Sequence, residues 1–141
     1  MRPPSSYMKR VNTDKTQDFL QYGDIYDLIF LMLLALRNCQ PIKVLEIGCS
    51  ARENGSPKAF DEMPYVSQYL GIDKDVVQTQ TSSKCHFVYG DAYSHEVVDE
   101  VRKYAPFDLI IDDGSHTPKD WHFFLNTYAC LLYTSPSPRD S

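Results

Sequence analysis

Apolar and polar positions along this chain fall into blocks that predict helices and strands by turns. Asp24 to Asn38 contains the uninterrupted apolar run Leu28 to Leu36 and predicts a buried helix, closed off by Pro41. Lys43 to Ile47 predicts a first strand ending at Gly48, and a polar loop follows from Cys49 to Gly55. Ser56 as N-cap with Pro57 at the first helical position opens a short helix. Tyr69 to Ile72 is a second predicted strand, ending at Asp73, and Cys85 to Tyr89 a third, ending at Gly90-Asp91. Ser94 caps a helix in which Val97, Val98, Val101 and Tyr104 recur at helical spacing. Phe107 to Ile111 is nearly continuously apolar, as in a strand buried on both faces of a parallel sheet. Thr117 as cap, Pro118 and Asp120 then start a helix with Trp121, Phe124, Leu125 and Tyr128 on one face. The Pro/Ser-rich residues Met1 to Ser6 are expected to fray. Strand and helix in alternation imply one α/β domain, a Rossmann-like doubly wound parallel sheet with right-handed crossovers.

In such sheets ligands bind outside the carboxyl ends of the strands. The fourth strand ends in Asp112, Asp113, Gly114, Ser115 and His116: two carboxylates, a flexible joint, a hydroxyl and an imidazole. The plain use of these residues is a polar turn in which Asp and Ser cap backbone groups. Five in a row after a buried strand point instead to a site that holds acid, base and possible metal ligand. Three other strand ends carry an acid: Glu46-Ile-Gly48, Gly71-Ile-Asp73 and Gly90-Asp91-Ala92. A glycine after the first strand lets the backbone approach a ligand closely. An acid ending the second suits a ribose diol, since a carboxylate accepts from two adjacent hydroxyls. An acid on the third can accept from an adenine amino group.

Composition narrows the partners. The 141 residues are 43% hydrophobic and 23% charged, ordinary for one soluble globular domain. A formal net charge of -5, without a basic run, argues against a nucleic-acid surface. The apolar run is shorter than the about 20 residues a membrane span needs, and Asp24 and Asp27 stand at its start. No secretory leader precedes it, so a cytoplasmic protein that makes no membrane contact is expected. Apolar nearly all round, this N-terminal helix also offers a surface for a second copy of the chain. Cys39, Cys49, Cys85 and Cys130 form no C-x-x-C pair and read as reduced thiols. His86, His95 and His122 fall in or near regular elements and read as structural.

The C-terminus breaks the pattern. A helical period runs into Ser135-Pro-Ser-Pro138, which is no helix interior. Residues 130–140 match, residue for residue, one reading frame of a transposase adapter used in DNA library preparation. The expectation is that residues 1–129 are the N-terminal part of a single domain, cut in mid-helix near Ala129, and that residues 130–141 are not native.

The strand-end motifs together resemble those of class I S-adenosylmethionine-dependent methyltransferases: VLEIGCSARENGS the first, glycine-bearing motif, YLGIDKD the second and VYGDA the third. IIDDGSH resembles, more narrowly, the metal-dependent sugar O-methyltransferases of macrolide biosynthesis and the cephalosporin-hydroxylase-like group related to them. Thr13-Asp14-Lys15 and Tyr22 to Tyr26 are similar to the N-terminal segment of that group, so the resemblance runs from about Thr13 to Ala129. It implies the class I methyltransferase fold, here lacking its C-terminal strands, and O-methylation of a small-molecule hydroxyl with S-adenosylmethionine and Mg²⁺. Glu46 and Gly48 would line the methionine and ribose side of the cofactor, Asp73 would hold the ribose, and Asp91 with Ala92 the adenine edge. Asp112 would support the methionine end, Asp113 would bind Mg²⁺, and His116 would be the catalytic general base. Two departures stand out. The loop after Gly48 is longer than the family's compact glycine loop, which removes support for Ser50, Asn54 and Gly55 as contacts. The family's Glu-Asp metal pair after the next strand has no counterpart before Ala129, so the metal site is incomplete and this chain is expected to be inactive. Two other functions remain open at this point. One is an inert adenosine-binding module; the other is a nicotinamide-dependent oxidoreductase, against which stands the absence of G-x-G-x-x-G after the first strand.

Overall fold

The structure, a computed structural model, describes residues 2–10, 20–49, 55–75, 80–115 and 117–132; of Lys9, Arg10 and residues 20–24 only the backbone is described. In chain order the elements are α1 (Pro4–Arg10), α2 (Leu20–Leu36), β1 (Ile42–Ile47), α3 (Ser56–Glu62), β2 (Val66–Asp73), β3 (Cys85–Tyr89), α4 (His95–Arg102), β4 (Leu109–Asp112) and α5 (Pro118–Thr127). A turn of 3₁₀-helix, Tyr128–Leu131, follows α5. The strands form one parallel sheet in the order β3-β2-β1-β4, as the strand-helix alternation predicts.

Side chains alternate across β1 and so divide the core into two layers. Ile42 and Val44 join Tyr69 and a cluster supplied by α1, α2, α3 and the residue after α3: Tyr7, Met8, Tyr26, Phe30, Phe60 and Met63. Leu45, Ile47, Leu70 and Ile72 face the other way, onto Val97, Val98 and Val101 of α4 and onto Phe107, Tyr128 and Leu131. Helices on both faces of a parallel sheet are the doubly wound arrangement expected from the sequence.

Three local expectations are corrected. Residues 4–10 are helical, not frayed, because Tyr7 and Met8 are buried and the Ser5 backbone N–H and hydroxyl both donate to Asp27 of α2, at 2.8 Å each. Ser56 is the first helical residue and Gly55 takes the cap position without a side-chain bond. The expected apolar face of α5 divides: Phe124 stacks on buried Tyr128, with ring centroids 5.8 Å apart, while Trp121 and Leu125 are exposed. Ser94 and Thr117 do cap α4 and α5, accepting from the N–H groups of Val97 and Asp120.

Packing also settles what the other sequence features do. His86 lies against Tyr104 and His95 against Phe123, with ring centroids 5.2 and 5.3 Å apart. His122 pairs with Asn126. All four cysteines are free thiols. No helix among the described residues is long and apolar enough to cross a membrane. Beyond Ala129, Leu131 is buried and its carbonyl accepts from the Phe107 N–H at 2.9 Å, ahead of β4.

Candidate functional site

Backbone bonds carry the ladder past the strands and hold their ends level. Gly48 N–H donates to Ile72 O, Gly90 N–H to Asp73 O and Asp113 N–H to Ile47 O, each at 2.9 Å. A cleft of about 440 Å³ opens above these ends. Gly48, Asp73, Lys74, Asp75, Gly90, Asp91, Ala92 and Tyr93 line it from the first three strands, and Gly114, Ser115 and Asp120 from beyond the fourth.

Each lining residue has a local cause. Asp73 closes β2 by accepting from the Asp75 N–H at 3.1 Å, and Asp91 accepts from the Tyr93 N–H at 3.0 Å. These are Asx turns, which set each carboxylate just past its strand. Ala92 is held from behind by the Tyr128 hydroxyl, which donates to its carbonyl at 2.5 Å. Gly48 adopts φ +75, and a Cβ there would lie 2.4 Å from Asp113 O. Glycine is therefore required as much by the neighbouring strand exit as by any ligand.

Among the expected site residues, Gly48, Asp73, Asp91 and Ala92 come together on the cleft, whereas Glu46, Asp112 and Asp113 are absent from its lining. Glu46 is fully buried inside the sheet, where its Oε1 accepts from the Tyr69 hydroxyl at 2.6 Å. Its Oε1 is thereby engaged within the sheet, behind the cleft lining. Tyr69 lies well above the ordinary tyrosine pKa, first because it is buried and then because Glu46 is beside it, so its hydroxyl stays a donor. Asp112 is turned toward the core: its Oδ1 accepts from the Tyr93 hydroxyl at 2.8 Å and from the Gly114 N–H at 3.1 Å. Through Oδ1 it supports the turn beneath the cleft. Asp113 is exposed beside that turn.

His116, the expected general base, lies outside the described residues, as do Ser50 and Asn54. Among the described residues no three His, Cys, Asp or Glu side chains gather as a metal site. Asp113 alone does not hold an ion that prefers six oxygen ligands.

Two residues of the cleft escaped the sequence reading. Tyr93 lines the cleft and ties Asp112 in place, and Lys74 is the one cation on the cleft among the described residues. Nothing periodic marks Tyr93, whose partners lie 19 and 22 residues away.

Four parallel strands under such a cleft can be set against solved folds. Over 94% of its length the chain superposes on MycE methyltransferase from the mycinamycin biosynthetic pathway, crystallised with Mg and SAH, with a TM-score of 0.73 and 23% identity. The same protein in complex with Mg, SAH and mycinamycin VI gives a TM-score of 0.73 at 22% identity, again over 94% of this chain. The chain has the fold of a class I methyltransferase. In sequence it is 31% identical over 83 residues to mycinamicin VI 2''-O-methyltransferase of Micromonospora griseorubida. It spans 21% of that relative's length and 35% of each of the two solved chains. No protein-family model matches it.

Proposed function

We propose that this chain is part of an S-adenosylmethionine-dependent O-methyltransferase acting on a hydroxyl of a small, sugar-like molecule. The observation that carries this reading is the charge and shape of the cleft above the strand ends. Four aspartates and one lysine line it, with Asp73 and Asp91 one strand apart. A nucleoside with a sulfonium suits that lining, and the two phosphates of a nicotinamide dinucleotide would meet repulsion from it. The likeness to sugar O-methyltransferases in sequence and fold supports the same reading.

In this reading Asp73 accepts from the ribose hydroxyls, Asp91 from the adenine amino group, and Gly48 and Ala92 provide close backbone and side-chain walls. S-adenosylmethionine, when bound, supplies an electrophilic methyl group for in-line displacement. The residues around the cleft need only orient it and exclude competing geometries. His116, by resemblance, takes the proton of the acceptor hydroxyl. Magnesium would be held in part by Asp113, and the solved relatives were crystallised with it. Because the described residues do not complete its ligand set, no step is assigned to it.

Two accompanying proposals concern the rest of the protein. Residues 1–129 belong to a larger methyltransferase domain. Ile25, Leu28, Met32 and Leu36 form an outward stripe on α2, each half or more exposed, which suits a second copy of the chain. Isothermal titration of the chain with S-adenosylhomocysteine and with NAD tests the central reading. Binding of the first and not the second is expected; the reverse would replace a methyltransferase with an oxidoreductase.

A further inference from the structure

Tyr93 stands where the exit of β3 meets the exit of β4. These are the two edges of the described sheet, with β2 and β1 between them, roughly 14 Å apart at ordinary strand spacing. Its hydroxyl donates to Asp112 Oδ1 at 2.8 Å and accepts from the Ser115 N–H at 3.0 Å. A Cβ added at Gly114 would lie 2.6 Å from that hydroxyl, so the oxygen sits inside the turn. The ring packs edge-on against Phe123, with centroids 6.4 Å apart. Burial first, and then the Asp112 carboxylate, raise the phenol above its ordinary pKa, so the donor persists through neutral and mildly alkaline pH.

We infer that Tyr93 is the positioning residue of the cleft: one phenol locks the β4 exit turn to the β3 exit turn and so sets the Gly114–Ser115 wall. The inference rests on the cofactor reading above and names a residue outside the strand-end motifs. The geometry explains why a tyrosine is needed. The hydroxyl must donate and accept at once, to a carboxylate and from an amide, at the end of a rigid side chain fixed by packing. Phenylalanine keeps the ring and loses both bonds, leaving the Ser115 N–H without its partner.

The test uses the chain as it stands, labelled with ¹⁵N, with S-adenosylhomocysteine as probe. In Tyr93→Phe the Ser115 and Gly114 amides should shift and exchange faster, and affinity for the probe should fall about 5- to 10-fold. Tyr65→Phe, which removes a phenolic bond to Arg2 O far from the cleft, should cost stability without changing affinity. Asp112→Asn weakens the same contact while keeping its shape. It should repeat the paired effect, and the double variant should lose less than the two single losses together. If Tyr93→Phe fails to fold, Asp112→Asn alone decides. Unchanged Ser115 and Gly114 amides with unchanged affinity would overturn the inference alone. No binding of the probe by the unaltered chain would overturn the cofactor reading, and this inference with it.

Discussion

The carboxylates that end β2 and β3 and those that end β1 and β4 come from similar sequence, yet they meet opposite surroundings. Asp73 and Asp91 sit just past their strands in Asx turns and line the cleft. Glu46 and Asp112 are the acids of β1 and β4, and each is taken by a tyrosine hydroxyl, Tyr69 at 2.6 Å and Tyr93 at 2.8 Å. What separates the pairs is whether a phenol from a neighbouring segment reaches the carboxylate. A strand-end acid so reached has one carboxylate oxygen tied into the scaffold. Asp73 and Asp91 line the cleft, and Glu46 and Asp112 brace the frame around it.

Substitutions can break that comparison at either pair, and the largest effect is expected inside. Glu46→Ala removes a fully buried side chain and leaves the Tyr69 hydroxyl without its acceptor. The expected loss is about 2–4 kcal/mol of folding stability, read by chemical denaturation. A loss below about 0.5 kcal/mol would mean that Glu46 is not part of the frame.

Asp73→Ala should act on binding instead. Affinity for S-adenosylhomocysteine should fall by roughly 1.5–3 kcal/mol if a charged hydrogen bond to ribose is lost. Stability should stay within about 0.5 kcal/mol, as for a surface site. Calorimetric titration beside a melting curve separates the two outcomes, and equal affinity would return Asp73 to a turn-forming role. Asp91→Ala should show the same separation at smaller scale. About 0.5–1.5 kcal/mol of affinity is expected, because Asp91 is exposed and its bond to adenine competes with water. A loss as large as that of Asp73→Ala would make the adenine edge the main anchor.

The smallest expected effect is an alkaline one. Tyr69 and Tyr93 are both raised above the ordinary tyrosine value of 10.0, first by burial. The folded state therefore keeps these protons longer than the unfolded one. Their contribution to stability is present below pH 10.0 and is lost as pH rises further through the folded values. Absorbance near 295 nm should show both phenols silent at pH 10, ionising only as the chain unfolds. Early ionisation of Tyr69 would contradict its contact with Glu46.

Much of this arrangement was legible in the chain itself. Short apolar runs followed by Gly or Asp sufficed for β1 to β4, and side-chain caps for α4 and α5, because strand burial and capping are local chemistry. Asp73, Asp91, Ala92 and Gly48 were legible as cleft residues because they stand at strand ends, where doubly wound sheets bind ligands. Residues 4–6, expected to fray, are helical because α1 packs on α2 and α3, which local composition does not reveal.

Sequence alone determined the order of the elements, the parallel sheet and the positions at which acids leave it, since these follow from periodicity and turn chemistry over a few residues. The tertiary structure decided which of those acids line the cleft. That choice depends on Tyr69 and Tyr93, whose carboxylate partners lie 23 and 19 residues away along the chain. No local pattern encodes a contact made only after the strands have been set side by side.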